Sequence, residues 1–179
     1  GQQHRRRPQH PGVVVNFDFT DTEFLTVGTL GPRGERVFYL QGRGGHDGEP
    51  RLVSLKLEKQ QVAALADYLD RVLDDLPEGE VGPTPDDLGL REPVVEEFTV
   101  GSLGVAYVAE DDRLIVVAEE MIEDDEEEDP AHVRWSLRRE QVIGLIDRAR
   151  EIVAAGRPPC PYCGRPRQPS NGDWCACAN

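Results

Sequence analysis

Four cysteines near the carboxyl end are the residues of this sequence best suited to chemistry. They are Cys160, Cys163, Cys175 and Cys177, arranged as a C-x-x-C pair and, eleven residues later, a C-x-C pair. Gly164 follows the first pair, as in a zinc knuckle, where a glycine permits the left-handed turn that points backbone amides at the thiolates. Four thiolates suit tetrahedral Zn²⁺ and leave no open coordination position for a substrate. The spacing therefore predicts a structural zinc site.

A redox dithiol and a labile disulfide are the alternative interpretations of these cysteines. A thioredoxin-type pair needs a strand-to-helix junction, whereas Cys160 follows a predicted helix and precedes loops. The segment has almost no apolar residues beyond Tyr162 and Trp174. Bound metal would therefore supply its folding free energy, on the order of 10 kcal/mol for such peptides. All four cysteines are local to this tail, which argues against a disulfide framework for the core.

A glycine-rich stretch, residues 41–50, carries a second candidate group. Arg43, His46 and Asp47 lie within it, and a histidine beside an aspartate could act as an acid–base pair. Adjacent side chains rarely point at one another, so a plain mobile loop is the favoured interpretation.

An acidic run from Glu119 to Asp129 has nine acids in eleven residues. We interpret it as a solvated loop between two strands, with a docking arm for a basic partner as the functional alternative. It lacks the glycine-punctuated spacing of a calcium-binding EF-hand loop. His132 alternates with Val133 and is expected on a strand face near this run. The remaining histidines, His4 and His10, lie in a basic amino-terminal tail.

Charge limits the classes of partner. The net charge is −14, and such a field repels a phosphate backbone unless a basic patch is segregated from it. The ends are basic: Arg5, Arg6 and Arg7 at the amino end, and Arg157, Arg165 and Arg167 at the carboxyl end. Weak nucleic-acid binding through Arg165 and Arg167 thus remains an alternative. No apolar run reaches eighteen residues and no signal peptide is recognisable, so we expect a cytoplasmic protein without a membrane span.

Known catalytic signatures are absent from the sequence: it contains no G-x-S-x-G, no H-E-x-x-H and no G-x-x-x-x-G-K-[ST]. We therefore expect a zinc-binding interaction or regulatory module with a protein partner, possibly a basic one. The alternative is a hydrolase-type enzyme whose site lies in a cleft between two repeats, where His46 or His132 could meet the acidic run.

Those repeats begin with two nearly identical strands, TVGTLG at 26–31 and TVGSLG at 99–104. Strand-like runs follow each of them: RVFYLQG and RLVSLKL in the first half, and RLIVVAEE and HVRWSL in the second. We expect Val27 and Leu30, like Val100 and Leu103, to supply core contacts. The glycines indicate a bulge or a close backbone approach. A phosphate-binding loop is disfavoured because no helix follows either glycine pair directly.

Each half ends in an amphipathic helix with the same apolar positions. They are Val62, Leu65, Ala66, Leu69, Val72 and Leu73, and, eighty residues later, Val142, Leu145, Ile146, Ala149, Ile152 and Val153.

The sequence therefore predicts an α+β domain built from two duplicated strand-plus-helix units, with a mostly antiparallel sheet, two main helices and pseudo-two-fold symmetry. The boundaries follow from composition. Residues 1–12 form a disordered basic tail, 13–76 repeat one, 77–93 a linker over the surface, 94–156 repeat two and 157–179 a zinc-ribbon-like tail.

Three stretches, GERVFYLQ, EKQQVAAL and AAGRPPCPYCGRP, resemble an uncharacterised, mainly actinobacterial family, domain of unknown function 3090. The resemblance runs from about Val13 to Asn179. Members of that family end in a CPxCG knuckle and a Gly-His-x-Cys-Pro-Arg stretch, which Cys160, Cys163 and Cys175 match. Asp173 stands in place of the histidine and Cys177 in place of the arginine. The fourth ligand is thus Cys177 or Asp173, and thiolate softness favours Cys177. The family implies no established activity.

Overall fold

The computed structural model describes residues 16–32, 34–46, 49–123 and 129–155. Within these ranges the chain forms seven strands and two helices. They are β1 (Asn16–Phe19), β2 (Asp21–Leu30), β3 (Val37–His46), β4 (Glu49–Leu57), α1 (Lys59–Asp75), β5 (Glu96–Val108), β6 (Arg113–Glu120), β7 (His132–Leu137) and α2 (Arg139–Ala155). The predicted basic tail and zinc-binding tail lie outside the described residues.

The described strands form one sheet in the order β1-β7-β6-β5-β4-β3-β2. Two antiparallel meanders, β2-β3-β4 and β5-β6-β7, are joined by parallel pairing of β4 with β5, and β1 pairs in parallel with β7. Only Thr20 separates β1 from β2, which lies at the other edge of the sheet. The two edges are therefore joined by the chain itself, and the sheet curls on itself as a barrel does.

The interior of the curled sheet is one apolar core to which both halves contribute. Trp135 of β7 is fully buried at its centre. Its ring stacks on Phe19 of β1 with centroids 6.1 Å apart. Trp135 also lies against Gly42 of β3, where a Cβ atom would overlap the indole nitrogen. The core thus depends on a glycine opposite the largest side chain.

The two helices pack against the sheet, and they pack against each other in antiparallel directions. The Arg139 guanidinium, at the start of α2, donates to the Pro77 carbonyl just beyond the end of α1 (2.7 Å). Further along α2, Arg150 forms ion pairs with Asp67 and Asp70 of α1, each at 3.2 Å. The apolar stripe of each helix is thereby turned toward the core.

Residues 77–91, here called the strap, do not form a loose linker. They cross from the end of α1 over α2 to the sheet, where Leu88 is buried and its carbonyl accepts a hydrogen bond from the Thr26 hydroxyl. The Gln41 side chain, fully buried in β3, accepts from the Arg91 N–H (2.7 Å) and donates to the Arg91 carbonyl (2.8 Å). The strap is thus fixed to the sheet by hydrogen bonds with the buried side chains of Thr26 and Gln41, and the Gln41 carbonyl oxygen would lose its hydrogen bond from Arg91 if the strap moved away.

The structure confirms the predicted α+β class, the mostly antiparallel sheet and the two helices. The expected core role of Leu30 is wrong: Val27 is fully buried, but Leu30 is 42% exposed. Residues three apart in a regular strand point to opposite faces, because side chains alternate. In β5, an irregularity between Val100 and Ser102 shifts that alternation, so Leu103 packs partly against the core.

Candidate functional site

The predicted zinc ligands, Cys160, Cys163, Cys175 and Cys177, lie outside the described residues, as does Asp173. Within the part of the chain that the structure describes, no three histidine, cysteine or acidic side chains converge to hold a metal ion. The zinc prediction therefore concerns the carboxyl-terminal tail alone.

The candidate histidines end or begin strands. His46 is the last residue of β3, opposite Glu49 in the pairing with β4, and Asp47 lies outside the described residues. Arg43 forms a 3.8 Å ion pair with Glu23 on β2. His132 is the first residue of β7, in register with Glu119 of β6.

The acidic run begins in β6 and is closed at its base by hydrogen bonds. The Glu120 N–H donates to the Ala131 carbonyl (2.8 Å), and the Ala131 N–H donates to the Glu120 carboxylate (3.0 Å). Residues 124–128 lie outside the described ranges. The structure thus places His132 beside the start of the run, on the neighbouring strand.

A cluster that the sequence did not reveal joins the β5–β6 hairpin to the start of α2. Both carboxylate oxygens of Asp112 accept hydrogen bonds from Arg139, at 2.9–3.1 Å. The Tyr107 hydroxyl donates to the same carboxylate at 2.7 Å. Arg139 is only 8% exposed, and Asp112 has a positive φ of 52°. The hairpin turn is therefore shaped to direct this carboxylate at the first residue of the helix.

The electrostatics of this cluster favour a fixed ion pair. Hydrogen bonds from Arg139, and secondarily from Tyr107, lower the pKa of Asp112. The hydrogen bond to Asp112 raises the pKa of Tyr107. The carboxylate thus stays ionised and the phenol protonated around neutral pH. Neither group is suited to proton transfer there, because general acid–base catalysis works best when a pKa lies near the operating pH.

The surface depressions formed by the described residues include three that adjoin the helices or their ends. One, of about 540 Å³, lies where β2 and β3 meet the start of α2, and Asp21, Glu23 and Arg138 give it charged walls. A second, of about 410 Å³, lies between α2 and the strap. A third, of about 440 Å³, lies between α1 and β5. We call the third the α1 groove; its lining residues are Gln61, Ala64, Leu65, Tyr68, Arg71, Gly101, Ser102 and Leu103.

The two described helices have 17 residues each, which bears on whether either could span a lipid bilayer. Neither α1 nor α2 combines the necessary length with the necessary apolar character.

Fold and surface together define an α+β protein with a curled, mostly antiparallel sheet, two packed helices and a strap that binds one of them. Residues 17–175 match the family described as protein of unknown function (DUF3090), so the chain belongs to that family. The resemblance seen in the sequence is thereby confirmed. Comparison with curated proteins and with solved structures gives no match.

Sequence reasoning missed the Tyr107–Asp112–Arg139 cluster and the α1 groove. The only signals for the cluster were a turn at two aspartates and an arginine at the start of a helix, 27 residues apart in the chain. Nothing in hydrophobic periodicity connects such positions, because they meet only after the hairpin has packed on α2.

Proposed function

We propose that the body of this protein, residues 13–156, arose by internal duplication of a strand-strand-strand-helix unit. The order β2-β3-β4-α1 is repeated by β5-β6-β7-α2. The offset of eighty residues found in the apolar stripes also relates the helix bounds, 59–75 to 139–155, and the ends of the preceding strands, Leu57 to Leu137.

Two glutamines at equivalent positions support the proposal, because they make the same contacts. The Gln61 side chain accepts from the Glu58 N–H and the Gln141 side chain from the Arg138 N–H, both at 2.8 Å. Each side chain also donates to a strand of the opposite half: Gln61 to the Val100 carbonyl and Gln141 to the Thr22 carbonyl. Each glutamine thus caps its own helix and binds the other half.

A contact between equivalent residues supports pseudo-two-fold symmetry. Asp70 and Arg150 are separated by the same eighty positions and form an ion pair at 3.2 Å. Residues related by a two-fold axis touch each other only where they lie near that axis. The axis would then pass between the middle parts of α1 and α2.

For its function, we propose that this protein is a cytoplasmic zinc-binding interaction module. Residues 157–179 would hold one structural Zn²⁺ through Cys160, Cys163, Cys175 and Cys177, and the duplicated body would support that tail. The donor set itself favours zinc, since thiolates are soft ligands and four of them complete a tetrahedral site.

The observation that carries the interaction role is an acidic segment, residues 67–92, in which most acidic side chains are exposed. Asp74 and Asp75 end α1, where the helix dipole already disfavours negative charge, and no basic residue lies in that turn. Exposed Glu78 and Glu80 follow in the strap. Negative charge at the carboxyl end of a helix, with no stabilising contact among the described residues to offset it, points to a functional role. The negative charge of this segment suits a basic protein partner.

Affinity capture from native cell lysate tests this proposal. Zinc-loaded wild-type protein should retain a stoichiometric partner that is released at high salt, because exposed charges are screened there. A variant with Asp74→Asn, Asp75→Asn, Glu78→Gln and Glu80→Gln should lose the partner while keeping its zinc. As a matched control, the same neutralisation of Glu35, Glu49, Glu110 and Asp111, which are also exposed, should retain it. No partner at stoichiometric yield would count against the proposal.

A further inference from the structure

The α1 groove has a counterpart on the other half of the molecule, and that counterpart is covered. On the helix side, Ala64, Tyr68 and Arg71 of the groove correspond to Gly144, Arg148 and Glu151 of α2, which line the depression beneath the strap. On the strand side, Gly101 of β5 corresponds to Gly28 of β2 by the offset of 73 between the two TVG motifs.

The strap covers the α2 side through close apolar contacts. A Cβ atom on Gly144 would lie 3.2 Å from Leu88 and 3.3 Å from Pro85. A Cβ atom on Gly28 would lie 2.5 Å from the Cγ of Leu90. The approach of the strap thus requires a glycine at position 28 and leaves little room for a side chain at position 144.

Residues beneath the strap are buried, whereas their counterparts in the other half of the molecule are more exposed. Gly144, Gly28, Gln141 and Thr26 are buried. Among their counterparts, Ala64 and Gly101 are exposed, and Gln61 and Thr99 are half-buried. In the described part of the chain, the α1 groove is lined by α1 and β5 alone, and it displays Tyr68, which is 42% exposed.

Chain connectivity indicates what would cover it. The strap is the segment that directly follows α1, and residues 156–179 directly follow α2. The helices are antiparallel, and Arg150 of α2 lies beside Asp67 of α1. The five residues from Arg150 to Ala155 therefore advance the chain by about 7.5 Å toward the start of α1. The chain therefore leaves α2 close to Ala64 and the groove.

The chemistry of that segment also fits. Residues 157–179 are rich in proline, like the strap, and they supply Tyr162 and Trp174 as apolar groups. They carry Arg157, Arg165 and Arg167 against Asp173 alone. Before the thiolates and zinc are counted, this is an excess of positive charge, which suits a body whose overall charge is strongly negative.

We infer that the α1 groove is the binding site for the protein's own residues 157–179, as α2 and β2 are the binding site for the strap. This inference rests on the proposed duplication and is independent of zinc. It gives the tail a fixed position on the body, with the proposed metal site held beside α1.

Photo-crosslinking in the full-length chain tests it. p-Benzoylphenylalanine replaces Tyr68, and in a matched control it replaces Leu30, which is equally exposed but lies at the end of β2. Irradiation of the Tyr68 variant should give a crosslink to a peptide within residues 157–179 at the mass of one chain, and the Leu30 variant should give none. A crosslink to a second copy, to another protein or to no peptide would overturn the inference.

A second variant keeps the test independent of the photoreactive group. Ala64→Trp fills the groove on an exposed helix position and should speed tryptic cleavage between Arg167 and Gln168 severalfold, with unchanged circular dichroism. Ala109→Trp, the same substitution at an exposed residue just beyond the end of β5 and outside the groove, should leave the cleavage rate unchanged. Equal rates for Ala64→Trp and wild type would contradict the inference.

Zinc content, measured on the same samples, separates the two claims. A crosslink in a chain without zinc would support the groove and reject the zinc site. A chain with one zinc ion and no crosslink would reject the groove and leave the zinc proposal standing.

Discussion

At the scale of single residues, the pairing of Trp135 with Gly42 limits what the core can accommodate. The indole nitrogen is buried, and no described group accepts a hydrogen bond from it. It faces the one position in β3 where a side chain would overlap it. Such close packing explains why a strand of high β-propensity contains a glycine at its centre.

Gly42→Ala should therefore lower the free energy of unfolding by about 2–3 kcal/mol, because overpacking forces side chains out of their rotamers. Gly45→Ala is the matched control on the same strand, since a Cβ atom there meets nothing within 4 Å. The control should stay within about 0.5 kcal/mol of wild type. Urea denaturation measures both, and equal stabilities of the two variants would refute the packing argument.

The fourth ligand of the proposed zinc site in the tail is either Cys177 or Asp173. If Cys177 completes the zinc site, Cys177→Ser should weaken zinc binding by more than about 100-fold, beyond the 10- to 100-fold effect of losing an outer partner. Asp173→Asn should change affinity little. Competition with a chromophoric chelator measures both constants. The reverse order of effects would assign the fourth position to Asp173.

At the scale of elements, the Tyr107–Asp112–Arg139 cluster attaches a hairpin to a helix. The pKa of Asp112 is lowered from its ordinary value of 3.8. Its ionised form therefore stabilises the fold above that pH, and this contribution is lost as the pH falls through the lowered pKa.

Asp112→Asn should accordingly reduce the melting temperature at pH 7. The difference from wild type should begin to shrink as the pH falls below 3.8, where the carboxylate of the unfolded chain takes up a proton, and it should vanish below the lowered pKa of the folded state. Asp111→Asn, in the same turn, is the control and should show no such pH-dependent difference. Thermal denaturation followed by circular dichroism from pH 2.5 to 7 measures the effect. A difference that is constant over this range would show that the ion pair is not its source.

The position of the strap depends on the hydrogen bonds between the Gln41 side chain and the Arg91 backbone. Gln41→Leu removes the acceptor for the Arg91 N–H and should destabilise the protein by about 1–3 kcal/mol. Exchange of the Arg91 amide hydrogen should accelerate about tenfold. Gln60→Leu, on an exposed position of α1, controls for the substitution itself. Hydrogen-exchange mass spectrometry measures both variants, and unchanged exchange in the strap would refute this role for Gln41.

Hydrophobic patterning is sufficient to predict most elements but not how they are positioned. Six strands and both helices are visible in the sequence because each has a period of its own. Strand β1 is not, since it has four residues and is defined by pairing with β7, over a hundred positions away. The strap is equally hidden, because its composition is that of a linker and its position depends on Gln41 and Leu88.

At the scale of the whole molecule, the proposed duplication and the proposed zinc-binding tail both concern the α1 groove. The strap, which follows α1, covers α2, whereas α1 has a groove that no other described segment fills. The segment that follows α2 holds all four cysteines. In these proposals, the acidic segment 67–92 would face a partner and the zinc-bearing tail would be fixed on the body.

The zinc ion is the central claim, and elemental analysis tests it most directly. Protein purified without added metal or chelator should contain one zinc ion per chain, and native mass spectrometry should show its mass together with four deprotonated thiols. Cys160→Ser combined with Cys163→Ser should abolish the bound zinc while leaving the folded body intact. A metal-free chain, with its thiols free or joined in disulfides, would contradict the account.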